Sequence, residues 1–142
     1  MIRPTLPAIA LSLLLPATAY AHVSVRPAQS KPGAEETYTV RVPTEKAVAT
    51  TSVELEVPEG VTILKVNDTE GAEHEEKKTG DRITMIVWTA EIKPRESATF
   101  TFVAKNPAEA GKIPWKVQQK YADGTVSNWT PATTLAATDA GK

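Results

Sequence analysis

An all-β fold, an antiparallel β-sandwich, is predicted for this chain by three observations. Apolar residues alternate with polar ones at period two in run after run. The runs are short and bounded by turn residues. No stretch of ten or more residues carries a convincing helical period. Seven or so such strands in about 120 residues suit an Ig-like or fibronectin-like topology; a closed barrel is the alternative.

Taken in order, Tyr38, Val40 and Val42 alternate with Thr37, Thr39 and Arg41, the pattern of a half-buried strand. Val53, Leu55 and Val57 alternate with Ser52, Glu54 and Glu56 before the turn residues Pro58-Glu59-Gly60. Val61 and Ile63 open a further strand toward Val66. Residues 67–82 are polar and acidic, and are expected to form an exposed hairpin or loop punctuated by Gly71 and Gly80. Residues 83–89 are β-branched and aromatic, and Pro94 marks a connection. Ala98, Phe100 and Phe102 alternate again, and residues 113–121 read as one strand through Trp115, Val117 and Tyr121. Trp88 and Trp115 are expected in the core. Asp123-Gly124 predicts a two-residue type I′ hairpin. That turn would set Gln118 opposite Trp129, on a face shared with Lys120. Residues 135–142 form an Ala/Thr/Gly-rich tail expected to fray, leaving 22–134 as the sandwich domain.

Residues 1–21 read as a cleavable secretory signal. Arg3 supplies the positive start, residues 8–15 are apolar apart from Ser12, and Ala19-Tyr20-Ala21 is an A-x-A site. The apolar run is too short to span a bilayer, which takes about 20 residues, and no later segment is apolar enough. The expected mature protein starts at His22 and is periplasmic or otherwise secreted. Removing Arg3 takes the formal charge from −1 to −2, a balance that argues against nucleic acid as a partner. The chain has no cysteine, which excludes disulfides, thiolate metal sites and thiol redox chemistry. No Ser/His/Asp order or phosphate-cradling glycine loop appears, and no enzymatic activity is expected.

Cleavage after Ala21 would place two nitrogens on His22, a free α-amine and an imidazole. Nδ1 and the amine can close a chelate ring on one metal ion; an internal histidine cannot, because its nitrogen is a peptide amide. Two nitrogens completed by oxygen suit Cu(II) among first-row metals. A histidine that merely follows a cleavage site is the competing explanation. Glu36 is in phase with Tyr38, Val40 and Val42, and a carboxylate on a core-facing register needs a partner or a metal; if the strand starts at Thr37, Glu36 lies in a solvated turn instead. Trp129 could shield a metal or lend its π face to a cation, or simply pack at an edge under the tail. His74 lies among Glu70, Glu73, Glu75 and Glu76, which reads as a solvated charged face in preference to a second metal site.

Ala21-His22-Val23-Ser24-Val25-Arg26-Pro27, then Glu36-Thr37-Tyr38-Thr39-Val40-Arg41-Val42-Pro43 and Thr50-Thr51, then Pro114-Trp115-Lys116-Val117, Tyr121-Ala122-Asp123-Gly124 and Trp129 together resemble the YcnI-like family (DUF1775). The resemblance implies an Ig-like or fibronectin-like sandwich and Cu(II) bound by a monohistidine brace. It implies His22 as amine and imidazole ligand, Glu36 as carboxylate ligand and Trp129 as the tryptophan beside the metal. Many relatives carry a proline-glycine-tryptophan before the middle strands, where this chain has Glu70-Gly71-Ala72-Glu73-His74. The expected role is copper homeostasis, storage or delivery, with the copper ion and a copper chaperone or acceptor protein as partners. The rival from another class is a metal-independent interaction module of the cell envelope. An oxygen-activating copper enzyme is a distant third, because that chemistry places a second histidine at the brace.

Overall fold

The computed structural model describes residues 22–137; the expected signal segment lies outside the described residues. Every regular element described is a strand. One sheet has the order β1 (Ser24–Arg26), β3 (Glu35–Pro43), β8 (Ser97–Lys105), β5 (Thr62–Val66). The second has the order β11 (Val126–Trp129), β10 (Lys116–Tyr121), β4 (Thr50–Glu56), β7 (Arg82–Ile92), β6 (Glu73–Thr79). A small third sheet joins β2 (Gln29–Ser30), β12 (Ala132–Leu135) and β9 (Gly111–Pro114). Pairing is antiparallel except between β2 and β12.

The period-two patterns place the core where alternation puts it. Tyr38, Val40, Val42, Phe100 and Phe102 face Val53, Leu55, Ile86, Trp88 and Val117 across the sandwich, all buried. Trp88 stacks on Phe100 with centroids 5.1 Å apart, and Tyr38 packs against Trp115 at 4.8 Å. Both tryptophans expected in the core are there. The acidic stretch before Arg82 is more regular than expected: β6 is a seven-residue edge strand on β7. Its three Glu and two Lys side chains keep that edge soluble.

Three sequence expectations are corrected. Residues 113–121 are two strands that belong to different sheets. Ile113 pairs with Thr133, whereas Lys116 pairs with Glu56. Pro114, with no N–H to donate, ends the first ladder, and Trp115 is buried at the switch with its indole N–H on Thr133 Oγ1 at 3.0 Å.

The Asp123-Gly124 turn is a three-residue loop, Ala122-Asp123-Gly124. Tyr121 N donates to Thr125 O at 2.9 Å, and Gly124 N donates to Tyr121 O at 3.0 Å. A type I′ turn needs two successive residues at positive φ; here only Gly124 has it, at +86°. Asp123 instead accepts from the Thr125 backbone N–H at 3.0 Å and from its hydroxyl at 2.6 Å, closing an Asx turn. The register therefore pairs Val117 with Trp129 and Gln118 with Asn128. A one-residue shift moves every side chain to the other face, so Trp129 shares the inner face of Val117 and Gln119 rather than the outer face of Gln118 and Lys120.

The third concerns the tail. Leu135 is 3 % exposed and pairs with Gly111 and Ser30, so the domain continues past 134.

Candidate metal centre

His22 immediately precedes Val23 and β1. Ser24 pairs with Arg41 on β3, and continuing that antiparallel register carries His22 to the Pro43 end of the sandwich. Trp129, at the last position of β11, reaches the same end across the gap between the edge strands β1 and β11. The two rings meet edge to face, with centroids 5.1 Å apart and an interplanar angle of 70°. His22 is exposed and Trp129 is half-buried against the core.

The indole is held from behind. Trp129 Nε1 donates to Gln119 Oε1 at 2.9 Å. Gln119 is fully buried, and its Nε2 donates to Pro43 O at 2.9 Å and to Thr50 Oγ1 at 2.8 Å. Thr44 Oγ1 lies 2.7 Å from Thr50 Oγ1 and donates to Ile92 O at 2.9 Å. Because the Thr44 proton goes to Ile92, Thr50 donates to Thr44. A buried polar chain of five residues thus runs from Trp129 across β10, β4 and β7 and touches β3 at Pro43. Sequence reasoning did not single out Gln119. The signal was there: a glutamine in phase with Val117 and Tyr121 must find partners inside.

Glu36 is in phase with the core, as expected, and β3 begins at Glu35 rather than Thr37. It lies at the opposite end of the strand from Pro43. Seven residues at roughly 3.3 Å each put more than about 20 Å between the two ends. Glu36 Oε1 accepts from Ser30 Oγ at 2.7 Å. Ser30 Oγ accepts from Asn106 Nδ2 at 2.9 Å, and Asn106 Nδ2 also donates to Lys31 O at 2.8 Å. Tyr38 donates to Asn106 Oδ1 at 2.5 Å. Burial, opposed by its hydrogen bonds and aided by the Glu36 charge, pushes the Tyr38 phenol up to about 12. The structure brings His22 and Trp129 together and does not bring Glu36 to them. Within one chain, Glu36 cannot complete a metal site at His22.

His74 sits on the edge strand β6 with a carboxylate at each ring nitrogen: Asp68 Oδ1 at 2.9 Å from Nε2 and Glu76 Oε1 at 3.1 Å from Nδ1. The Nδ1 approach is close enough for an ion pair but is not aligned as a hydrogen bond, and Nδ1 is buried without one. Carboxylates on opposite sides of the ring fit an imidazolium better than they fit one chelated metal. The Asp68 hydrogen bond raises the His74 pKa, burial opposes it, and Glu76 adds to the rise. Among the described residues no three histidine, aspartate or glutamate side chains gather as a metal cluster.

Fold and site together define a class: an immunoglobulin-like sandwich with an exposed histidine, backed by an anchored tryptophan, at one mouth. The chain belongs to the family described as Domain of unknown function (DUF1775), which matches residues 22–141. It is 41% identical over 128 residues to the copper-binding protein CutI of Bacillus subtilis (strain 168); the match takes in 87% of this chain and 63% of that one. The chain therefore spans less than two thirds of that relative's length. A crystal structure of a Nocardia farcinica protein, described as revealing an immunoglobulin-like fold, superposes with a TM-score of 0.71 at 22% identity, over 82% of this chain and 99% of that one. A cohesin module from a Clostridium perfringens family 33 glycoside hydrolase gives 0.55 at 8% identity, over 82% and 98%. Both likenesses concern the fold.

Proposed function

We propose that cleavage after Ala21 makes His22 the amino terminus and that its α-amine and Nδ1 chelate Cu(II), in a periplasmic or secreted protein of copper homeostasis. The observation that carries this reading is the seating of His22. It is exposed at a sandwich mouth and set edge-on to Trp129, at the residue where the family match begins. The copper-binding description of the Bacillus relative supports it.

The donor set fits the ion. Two nitrogens from one residue favour Cu(II), and a chain without cysteine offers no thiolate to favour Cu(I). Trp129 walls one side of the site and limits approach of solvent. Among the described residues His22 belongs to no cluster of three or more histidine, aspartate or glutamate side chains. The remaining coordination positions are left to water or to a donor from a chaperone or acceptor protein, which suits delivery of copper over locked storage. We read the protein as a carrier and not as an enzyme.

The test is paramagnetic resonance of the mature protein with one equivalent of Cu(II), beside a form retaining Ala21. The mature form should give a spectrum with nitrogen hyperfine structure that the extended form lacks. Equal spectra and equal affinities in the two would overturn the reading. Affinity should also fall steeply on acidification, since two protons compete with one metal ion.

A further inference from the structure

We infer that Gln119 is a positioning residue of the His22 site, acting through Trp129. The inference rests on the copper reading only for its purpose; the geometry stands without it. Gln119 is fully buried, and each polar atom of its side-chain amide has a partner that only one orientation satisfies. Pro43 O can only accept, so Nε2 must face it. The Thr50 hydroxyl gives its single proton to Thr44, so it too must accept from Nε2. The one remaining atom, Oε1, is an acceptor and takes the Trp129 indole N–H. The amide cannot flip without setting Oε1 against Pro43 O and leaving the indole unpaired, at the cost of several buried hydrogen bonds.

The consequence reaches the surface. Trp129 lies at the end of a four-residue edge strand, where an indole with no anchor would sample several rotamers. The bond to Gln119 selects one, and in that one the ring meets His22. Pro43 belongs to the His22-side sheet and Thr50 to the other. Gln119 therefore ties the Trp129 wall to both layers at the level of the mouth. Supporting residues of this kind hold a metal site's geometry without touching the metal.

The experiment uses the mature protein and the near-isosteric Gln119→Met. In metal-free wild type, the Trp129 indole N–H, assigned by its loss in Trp129→Phe, should resist solvent exchange. The His22 ring protons should be displaced from random-coil positions by the indole ring current. In Gln119→Met the indole proton should exchange at least about tenfold faster and the His22 shifts should relax toward random coil, with the Trp115 indole signal unchanged. Cu(II) affinity should fall about tenfold, the low end for loss of a supporting residue. If the indole proton and His22 shifts are the same in both proteins, the assignment is wrong. Should Gln119→Met fail to fold, wild type alone decides: a Trp129 N–H exchanging as fast as a free indole overturns the inference. Wild type that binds no Cu(II) at His22 while the metal-free signals respond to Gln119 sinks the copper reading and keeps the positioning role; copper bound with unresponsive signals does the reverse.

Discussion

The two mouths of this sandwich contain similar residue types arranged to opposite ends. At the Glu36 mouth, a carboxylate, a hydroxyl, an amide and a phenol are hydrogen-bonded in one chain, of which the Asn106 amide and the Tyr38 phenol are buried. At the His22 mouth, a polar chain of comparable size ends at Trp129 and stops short of the histidine, whose ring nitrogens have no partner drawn from that chain. One network takes up a Glu36 oxygen and both polar atoms of the Asn106 amide, and so contributes rigidity. The other satisfies everything behind the indole and leaves the imidazole available. Phase along β3 and the family resemblance made Glu36 look like a ligand; whether a polar group binds cargo or braces the fold depends on which neighbours have already used its lone pairs.

The sharpest way to break this contrast is to alter the free end at His22. Retaining Ala21 removes the amine donor and should lower Cu(II) affinity by about a hundredfold or more, above the cost of losing a supporting group, with no change in thermal stability. An extended form that binds as tightly as the mature one would erase the distinction between the mouths. The complementary experiment acts on the closed end. Asn106→Ala removes three hydrogen bonds from a residue 3 % exposed. It should cost about 2–4 kcal/mol in urea unfolding, because it strands buried partners, while Cu(II) affinity stays put.

Glu36→Ala tests the contrast more finely. It should cost about 1 kcal/mol through the lost Ser30 bond and leave one-to-one Cu(II) affinity in dilute solution unchanged. A large drop in affinity at low protein concentration would mean the two mouths communicate in a way the strand geometry does not allow. The smallest effect concerns pH and lies away from both mouths. His74 is raised above its ordinary value of 6.5 by Asp68 first and Glu76 second. A proton held more tightly in the folded state stabilises the fold fully below that ordinary value, and the contribution is lost as pH rises through the higher folded one. The stability gap between wild type and His74→Gln should therefore be larger at about pH 5.5 than at about pH 8.5. Solvent screening at exposed Asp68 keeps it under about 1 kcal/mol. A gap that grows with pH would have the wrong sign.

Much of the fold was readable because a strand with one buried face advertises it at period two. Tyr38, Val40, Val42, Phe100 and Phe102 could be placed inward from alternation alone, and they are. The errors fall where local chemistry admits two geometries. Asp123-Gly124 is compatible with a two-residue or a three-residue loop, and the Asp123 contacts to Thr125 chose the longer one. That single residue reversed the face of Trp129. The run 113–121 is continuous in hydropathy because both of its sheets pack on the same core, so Pro114 and not the apolar pattern marks the switch at Trp115.

By itself the sequence determined the class of fold, the inward residues, and the candidacy of His22 and Trp129 through their motifs and resemblance. These are matters of periodicity and residue identity, which are written along the chain. Only the tertiary structure decided that His22 and Trp129 meet, that Gln119 holds the indole between the sheets, and that Glu36 belongs to the far mouth. Strand direction and register set those distances: β3 runs the length of the sandwich with Glu36 and Pro43 at opposite ends. Phase along a strand says which face a residue takes, and says nothing of which end.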